Sequence, residues 1–137
     1  MKKTILITGA SVGFGKATAT LFAKNGYRVI ITGRRKERLL ELEKELTGTG
    51  AEVLSLNFDV RDLAAVKSAF ENLPSGWKDI DILVNNAGLA VGLSHIDDGD
   101  TDDWDRVIDT NVKGLLYVTR PVAPLMVARG SGHIFNI

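Results

Sequence analysis

Four short segments of this 137-residue chain carry residue types whose spacing suits a phosphorylated ligand. The first is Thr8-Gly9-Ala10-Ser11-Val12-Gly13-Phe14-Gly15, a Gly-x3-Gly-x-Gly run. Gly9, Gly13 and Gly15 permit a tight turn and close backbone approach, and free N–H groups at a following helix start attract pyrophosphate. The spacing differs from Gly-x-Gly-x2-Gly, and the Lys-Ser/Thr ending of a nucleoside-triphosphate loop is absent, so a dinucleotide suits it better than ATP. The second segment, Thr32-Gly33-Arg34-Arg35, lies about twenty residues on, where an NAD site offers a carboxylate to the ribose 2′-hydroxyl. Here Arg34 and Arg35 supply planar, permanent cations suited to a 2′-phosphate, with Arg38 one turn further on as a third, and the expected cofactor is NADP. In the third segment, Asn57-Phe58-Asp59-Val60, Asp59 can accept from an adenine amino group and Val60 can pack on the ring. Capping of the next helix by Asp59 or Asp62 is the competing use. The fourth, Asn85-Asn86-Ala87-Gly88, places two amides and a glycine where backbone passes close to a ribose.

These segments need elements to hold them. Five runs rich in β-branched or apolar residues, Thr4 to Thr8, Arg28 to Thr32, Glu52 to Asn57, Ile80 to Asn85 and His133 to Ile137, suit strands buried on both faces. Between them the apolar residues recur at helical spacing, as in Leu39, Leu42 and Leu46 or Leu63, Val66, Phe70 and Leu73. Alternation of strand and helix implies right-handed crossovers and an α/β parallel sheet with helices on both faces. Ligands of such sheets bind beyond the carboxyl ends of the strands, where the four segments fall. A last helix begins near Thr101, capped by Asp100 or Thr101 and carrying Asp102, Asp103 and Asp105 near its positive end. Its inward stripe should run Trp104, Ile108, Asn111, Leu115, Val118 and Val122, so Asn111 is an amide among apolar side chains that needs partners. Pro121 and Pro124 would each cost about 3 kcal/mol inside a helix, which predicts a kink or break near Arg120.

Composition narrows the classes of function. Apolar residues make up 45% and charged residues 25% of the chain, as in an ordinary globular domain, and one domain over residues 1–137 is expected. Seventeen basic and seventeen acidic residues cancel, so no overall positive field draws nucleic acid or an anionic membrane. With no cysteine and two distant histidines, neither a disulfide framework nor a zinc centre is expected. The apolar run behind Met1-Lys2-Lys3 stops at Thr8-Gly9, too short for a signal peptide or a membrane span, and a cytoplasmic protein with a small-molecule substrate is the expectation.

Taken in order, the Thr-Gly-x3-Gly-x-Gly turn at Thr8 to Gly15, Asp59, Asn85-Asn86-Ala87-Gly88 and the Asp109-Thr110-Asn111 stretch resemble the short-chain dehydrogenases/reductases. The resemblance covers the whole chain. It implies a Rossmann-type doubly wound sheet of five strands in the order 3-2-1-4-5. It also implies cofactor contacts at Ser11, Phe14, Arg34, Arg35, Asp59, Val60, Asn86 and Gly88, with Ala87 in the same turn, and a catalytic role for Asn111, which would hold a water in a proton relay. The Gly13-Phe14-Gly15, Thr32 to Leu39 and Asn85 to Ala90 segments look like the bacterial NADP-dependent 3-hydroxy acid dehydrogenases, which oxidise serine or similar substrates. Hydride transfer between the nicotinamide and a secondary alcohol or 3-hydroxy acid is the implied reaction. A homo-oligomer, dimer or tetramer, is expected of the full-length parent.

Family members are usually nearly twice as long, and their catalytic Ser and Tyr-x-x-x-Lys follow the fifth strand. In this chain Tyr27 is followed four residues later by Ile31 and Tyr117 by Pro121. The expectation is a chain truncated after the fifth strand that binds cofactor and does not turn over substrate by itself. Two other readings stand beside it. A noncatalytic NADP-sensing Rossmann module shares every cofactor motif. A receiver or flavodoxin-like signalling domain fits the length, and Asp59 would imitate its phosphoacceptor, but Thr8-Gly9-Ala10 lacks the acids that would hold Mg²⁺.

Overall fold

A computed structural model describes residues 1–137. The strands are β1 (Thr4–Ile7), β2 (Arg28–Gly33), β3 (Val53–Asn57), β4 (Ile82–Asn85) and β5 (His133–Asn136). The helices are α1 (Gly13–Lys24), α2 (Lys36–Thr47), α3 (Leu63–Glu71), α4 (Thr101–Ile108) and α5 (Leu115–Arg129). A π-helical turn, Asp109–Gly114, joins the last two helices. All neighbouring strands are parallel, in the order β3-β2-β1-β4-β5. The expected α/β sheet and strand order are therefore present, with strand ends within two residues of those read from the sequence.

Alternation along the central strands divides the core in two. Ile5, Ile7, Val29 and Ile31 pack with Ala19 and Ala23 of α1 and Leu39, Leu42 and Leu46 of α2. Leu6, Ile30 and Leu83 point to the other face and pack with Val66 of α3 and Val118, Val122 and Met126 of α5. Each fully buried Leu or Ile contributes about 2 kcal/mol, and the contributions concentrate in β1 and β2, the strands whose ends carry the glycine turn and the arginines.

Three expectations need correction. Burial on both faces holds for β1 and most of β2, whereas β3 is half-buried and β5 largely exposed, because these two strands form the sheet edges. The helix does not break near Arg120. Pro121 and Pro124 lie inside α5, and the carbonyls of Tyr117 and Arg120 forgo their ladder donors while the buried stripe Val118, Val122 and Met126 keeps the helix on the sheet. The irregularity sits earlier, in the π turn. A π turn changes the rotational phase of a helix, so the stripe does not continue upstream: Trp104, Ile108 and Asn111 are exposed and α4 buries no residue. Gly114 fixes the crossing point, since a Cβ there would stand 2.6 Å from Cγ2 of Val60.

Candidate functional site

At the carboxyl end of the sheet, the turn after β1 and the turn after β4 interlock. Thr8 is 2% exposed, and its hydroxyl accepts the backbone N–H groups of Asn86 at 3.0 Å and Ala87 at 2.9 Å. The Asn86 amide donates to the carbonyls of Thr8 and Gly9, both at 3.1 Å. One side chain from each turn thus satisfies backbone of the other, which explains why a Thr stands before the glycines and an Asn after β4. Gly9 at φ +61° takes a left-handed conformation that other residues rarely adopt. Gly15 lies against the same junction, where a Cβ would approach the Gly9 carbonyl oxygen to less than 3.0 Å.

The neighbouring strand ends are tied in the same manner. Asn57, paired with Gly33 in the β2–β3 register, donates its amide to the carbonyls of Gly33 at 2.8 Å and Arg34 at 3.1 Å. Asp62 caps α3 by accepting from Ala65 N–H at 3.1 Å, so Asp59 does not serve as that cap. Its carboxylate instead receives Arg61: the backbone N–H at 3.0 Å, Nε at 3.1 Å from each oxygen and Nη2 at 2.7 Å. The Arg61 guanidinium holds the Asp59 carboxyl below the usual carboxylate range, against an opposing push from burial, and Asp59 is ionised at neutral pH.

These ends enclose an open cleft of about 300 Å³. Gly9, Ser11, Arg34, Arg35, Asp59, Val60, Asn86, Ala87 and Gly88 all line it, and so do Val12, Thr32, Gly33, Phe58, Leu89 and Thr110. Gly13, Phe14, Gly15 and Arg38 lie outside the lining. Phe14 is 78% exposed, and Gly15 is buried against the junction, where its role is packing. Gly13 opens α1 at φ +57° with no atom within 4 Å of where its Cβ would be.

Asn111 finds its partners on the chain itself. Its Oδ1 accepts the Leu89 N–H and its Nδ2 donates to the Leu89 carbonyl, both at 2.8 Å. The expected amide in need of partners is therefore satisfied by loop backbone next to the cleft rather than among apolar side chains. Three further contributors were not singled out for these roles in the sequence: Thr8 and Leu89 act through contacts 79 and 22 residues away, which no local pattern encodes, and Arg61 acts on Asp59 only two residues before it, a local pairing that the Asp-x-Arg spacing could have signalled.

Groups in and beside the cleft are left without partners of their own. No side chain caps the start of α1 and no acid occupies its first turn, so backbone N–H groups and the positive helix end are free for an anion. Thr32 Oγ1, in a residue 1% exposed at the cleft wall, has no partner within the chain. Arg34 and Arg35 form no ion pair, in contrast to Arg28, Arg61, Arg106 and Arg129. The profile of the short chain dehydrogenase family matches residues 3–137.

The chain belongs to the short-chain dehydrogenase family.

Among its relatives within that family, an NADP-dependent 3-hydroxy acid dehydrogenase of Salmonella typhi is 52% identical over 133 residues, covering 97% of this chain and 52% of the relative. A serine 3-dehydrogenase of Rhizobium radiobacter is 48% identical over 137 residues, covering 100% of this chain and 53% of the relative. The structure of a closed form of serine dehydrogenase complexed with NADP+ superposes with a TM-score of 0.87 at 49% identity, over 96% of this chain and 52% of that one. The chain thus spans about half the length of the curated short-chain dehydrogenases it matches. No helix is long and apolar enough to cross a membrane.

Proposed function

We propose that this chain is the dinucleotide-binding part of an NADP-dependent oxidoreductase that interconverts a secondary alcohol or 3-hydroxy acid with its carbonyl. The observation that carries the reading is the pair Arg34 and Arg35 at the end of β2, unpaired and lining the cleft beside the glycine turn, at the position after β2 where an NAD site would carry its own carboxylate for the 2′-hydroxyl. In this assignment the turn from Gly9 to Gly13 and the first N–H groups of α1 hold the pyrophosphate, with Ser11, Phe14 and Gly15 in the same loop. Arg34 and Arg35 grip the 2′-phosphate, aided by Arg38. Asp59 and Val60 flank the adenine, and Asn86, Ala87 and Gly88 pass along a ribose. The bound nicotinamide would supply the hydride chemistry.

Asn111 is the proposed catalytic residue. By clamping Leu89 it holds the far wall of the cleft, and a relay water is its expected further partner. Neither tyrosine in these residues has a lysine four positions on, so the 137-residue chain by itself is proposed to bind cofactor without turnover. The likeness to 3-hydroxy acid and serine dehydrogenases supports the substrate class, and the absence of cysteine accords with a reducing cytoplasm. A homo-oligomer is proposed for the whole protein.

Calorimetric titration of the chain with NADP and NAD, with folding checked by circular dichroism, tests the assignment. Arg34→Ala with Arg35→Ala should weaken NADP about 100-fold, two charge-assisted bonds at roughly 1.5 kcal/mol each, and NAD no more than about twofold. Equal losses for both cofactors would remove the 2′-phosphate from this site.

A further inference from the structure

Asp59 presents a difficulty for a site built to hold a 2′-phosphate. Its carboxylate lines the same cleft as Arg34 and Arg35. The strand ends that carry Arg34 and Asp59 are fastened together, since Asn57 bonds the carbonyls of Gly33 and Arg34 two residues before Asp59. Arg34 acts electrostatically on the Asp59 carboxyl. A free carboxylate in this position would do two things against NADP. It would draw the Arg34 guanidinium into an internal ion pair, and it would repel the phosphate.

Arg61 removes both effects. Its backbone N–H, Nε and Nη2 converge on the two Asp59 oxygens, and the resulting pair is part-buried, with side-chain exposures of 33% for Arg61 and 28% for Asp59. Arg61 does not line the cleft. Arg34 makes no ion pair although the Asp59 carboxylate lines the same cleft, and with Asp59 paired to Arg61 the charge left beside the cleft is that of two arginines. Bidentate geometry matters, because it holds the Asp59 oxygens toward Arg61.

We propose that Arg61 is a specificity-determining positioning residue: by occupying the Asp59 carboxylate it leaves Arg34 free for the 2′-phosphate and so favours NADP over NAD without touching either. The inference rests on the NADP reading above and deepens it. It assigns cofactor choice partly to a residue outside the arginine pair, through a charge it neutralises.

Affinities of the full chain for NADP and NAD, measured by calorimetry in parallel, test it through their ratio. Arg61→Ala should lower the preference for NADP about tenfold, the scale of one unmasked unit charge competing with the phosphate for Arg34 in a screened, partly buried site. Arg61→Lys, which keeps the charge and loses the fork, should fall between. Removing the unmasked carboxylate as well, in Arg61→Ala with Asp59→Asn, should restore the ratio even if both affinities drop through lost adenine contacts. A merely structural role for Arg61 would not produce that rescue. An unchanged ratio in Arg61→Ala, or a double variant no better than the single, overturns the inference. Arg34→Ala with Arg35→Ala is the control: if it collapses the ratio while Arg61→Ala does not, only the role of Arg61 is lost. If it too leaves the ratio unchanged, the 2′-phosphate reading itself fails.

Discussion

Between the β1 and β4 turns, four hydrogen bonds from Thr8 and Asn86 join residues almost eighty positions apart, at 2.9 to 3.1 Å, inside a part-buried junction. From Leu89 to Asp100, immediately beyond it, the only backbone–backbone hydrogen bond within the stretch is Asp98 N–H to the His95 carbonyl at 3.3 Å, and Leu93 and Ile96 stand exposed. Both stretches line or border the candidate site, yet only the first is held by the sheet. The difference assigns them different work. Under the proposed assignment the first turn presents N–H groups to a phosphate and needs a preorganised backbone, whereas a segment left with few internal partners contributes little to the stability of the domain.

The largest effect that separates them should come from Gly15. A Cβ there would come within 3.0 Å of the Gly9 carbonyl oxygen and stand 2.5 Å from Asn86 Nδ2, so the junction must shift. Gly15→Ala should cost about 3 kcal/mol and abolish cofactor binding in whatever remains folded. Gly76→Ala is the companion, since no atom lies within 4 Å of its added Cβ and its backbone is not left-handed; it should be neutral or slightly stabilising. Urea unfolding midpoints measure both. A Gly15→Ala protein as stable as the parent would mean that the junction is not rigid, and the comparison would lose its basis.

The sequence was most legible where one residue type is demanded by backbone or by period. Gly9 and Gly13 have positive φ, Leu39, Leu42 and Leu46 form a buried stripe, and five apolar runs became five strands. Nine of the residues assigned to the cofactor do meet on one cleft because all sit at carboxyl ends of adjacent strands, which topology alone brings together. Legibility failed where the outcome depends on competition. Asp59 could cap α3 or face the cleft, and only the placement of Asp62 and Arg61 decides it. Pro121 and Pro124 argued for a broken helix, but propensity yields to the packing of Val118, Val122 and Met126. The π turn at Asp109–Gly114, where Gly114 packs so closely on Val60 that a Cβ would clash, and the exposure of Trp104 and Ile108 upstream of it carry no signature in either segment alone.

Asn111 tests the boundary between the two regions, because it is the side chain that ties Leu89 down. Asn111→Ala removes two hydrogen bonds in an exposed setting, where water replaces the lost partners, and should cost about 1 kcal/mol. Its effect should be local. Amide exchange at Leu89 should accelerate while that at Asn86 and Ala87, held by Thr8, stays as slow as in the parent. Exchange by mass spectrometry over peptides spanning residues 80–100 distinguishes this from a general loosening. If Asn86 and Ala87 exchange faster by the same factor, the two stretches form one cooperative unit and the boundary at Gly88 disappears.

The smallest effect belongs inside the second region. Leu93 is fully exposed, at 104%, in a stretch without regular structure, so it buries no apolar surface whose loss would register on unfolding. Leu93→Ser should leave the unfolding free energy within about 0.5 kcal/mol of the parent and the affinity for NADP unchanged. A serine at the end of β1, in Ile7→Ser, a strand residue 0% exposed just before the first region, is the contrast that gives this small number meaning, since it buries a hydroxyl among apolar neighbours. Paired denaturation curves of the two variants measure the gap. A loss above about 1 kcal/mol for Leu93→Ser would place that side chain in a packed environment and show that Leu89 to Asp100 is supported from within, as the junction is.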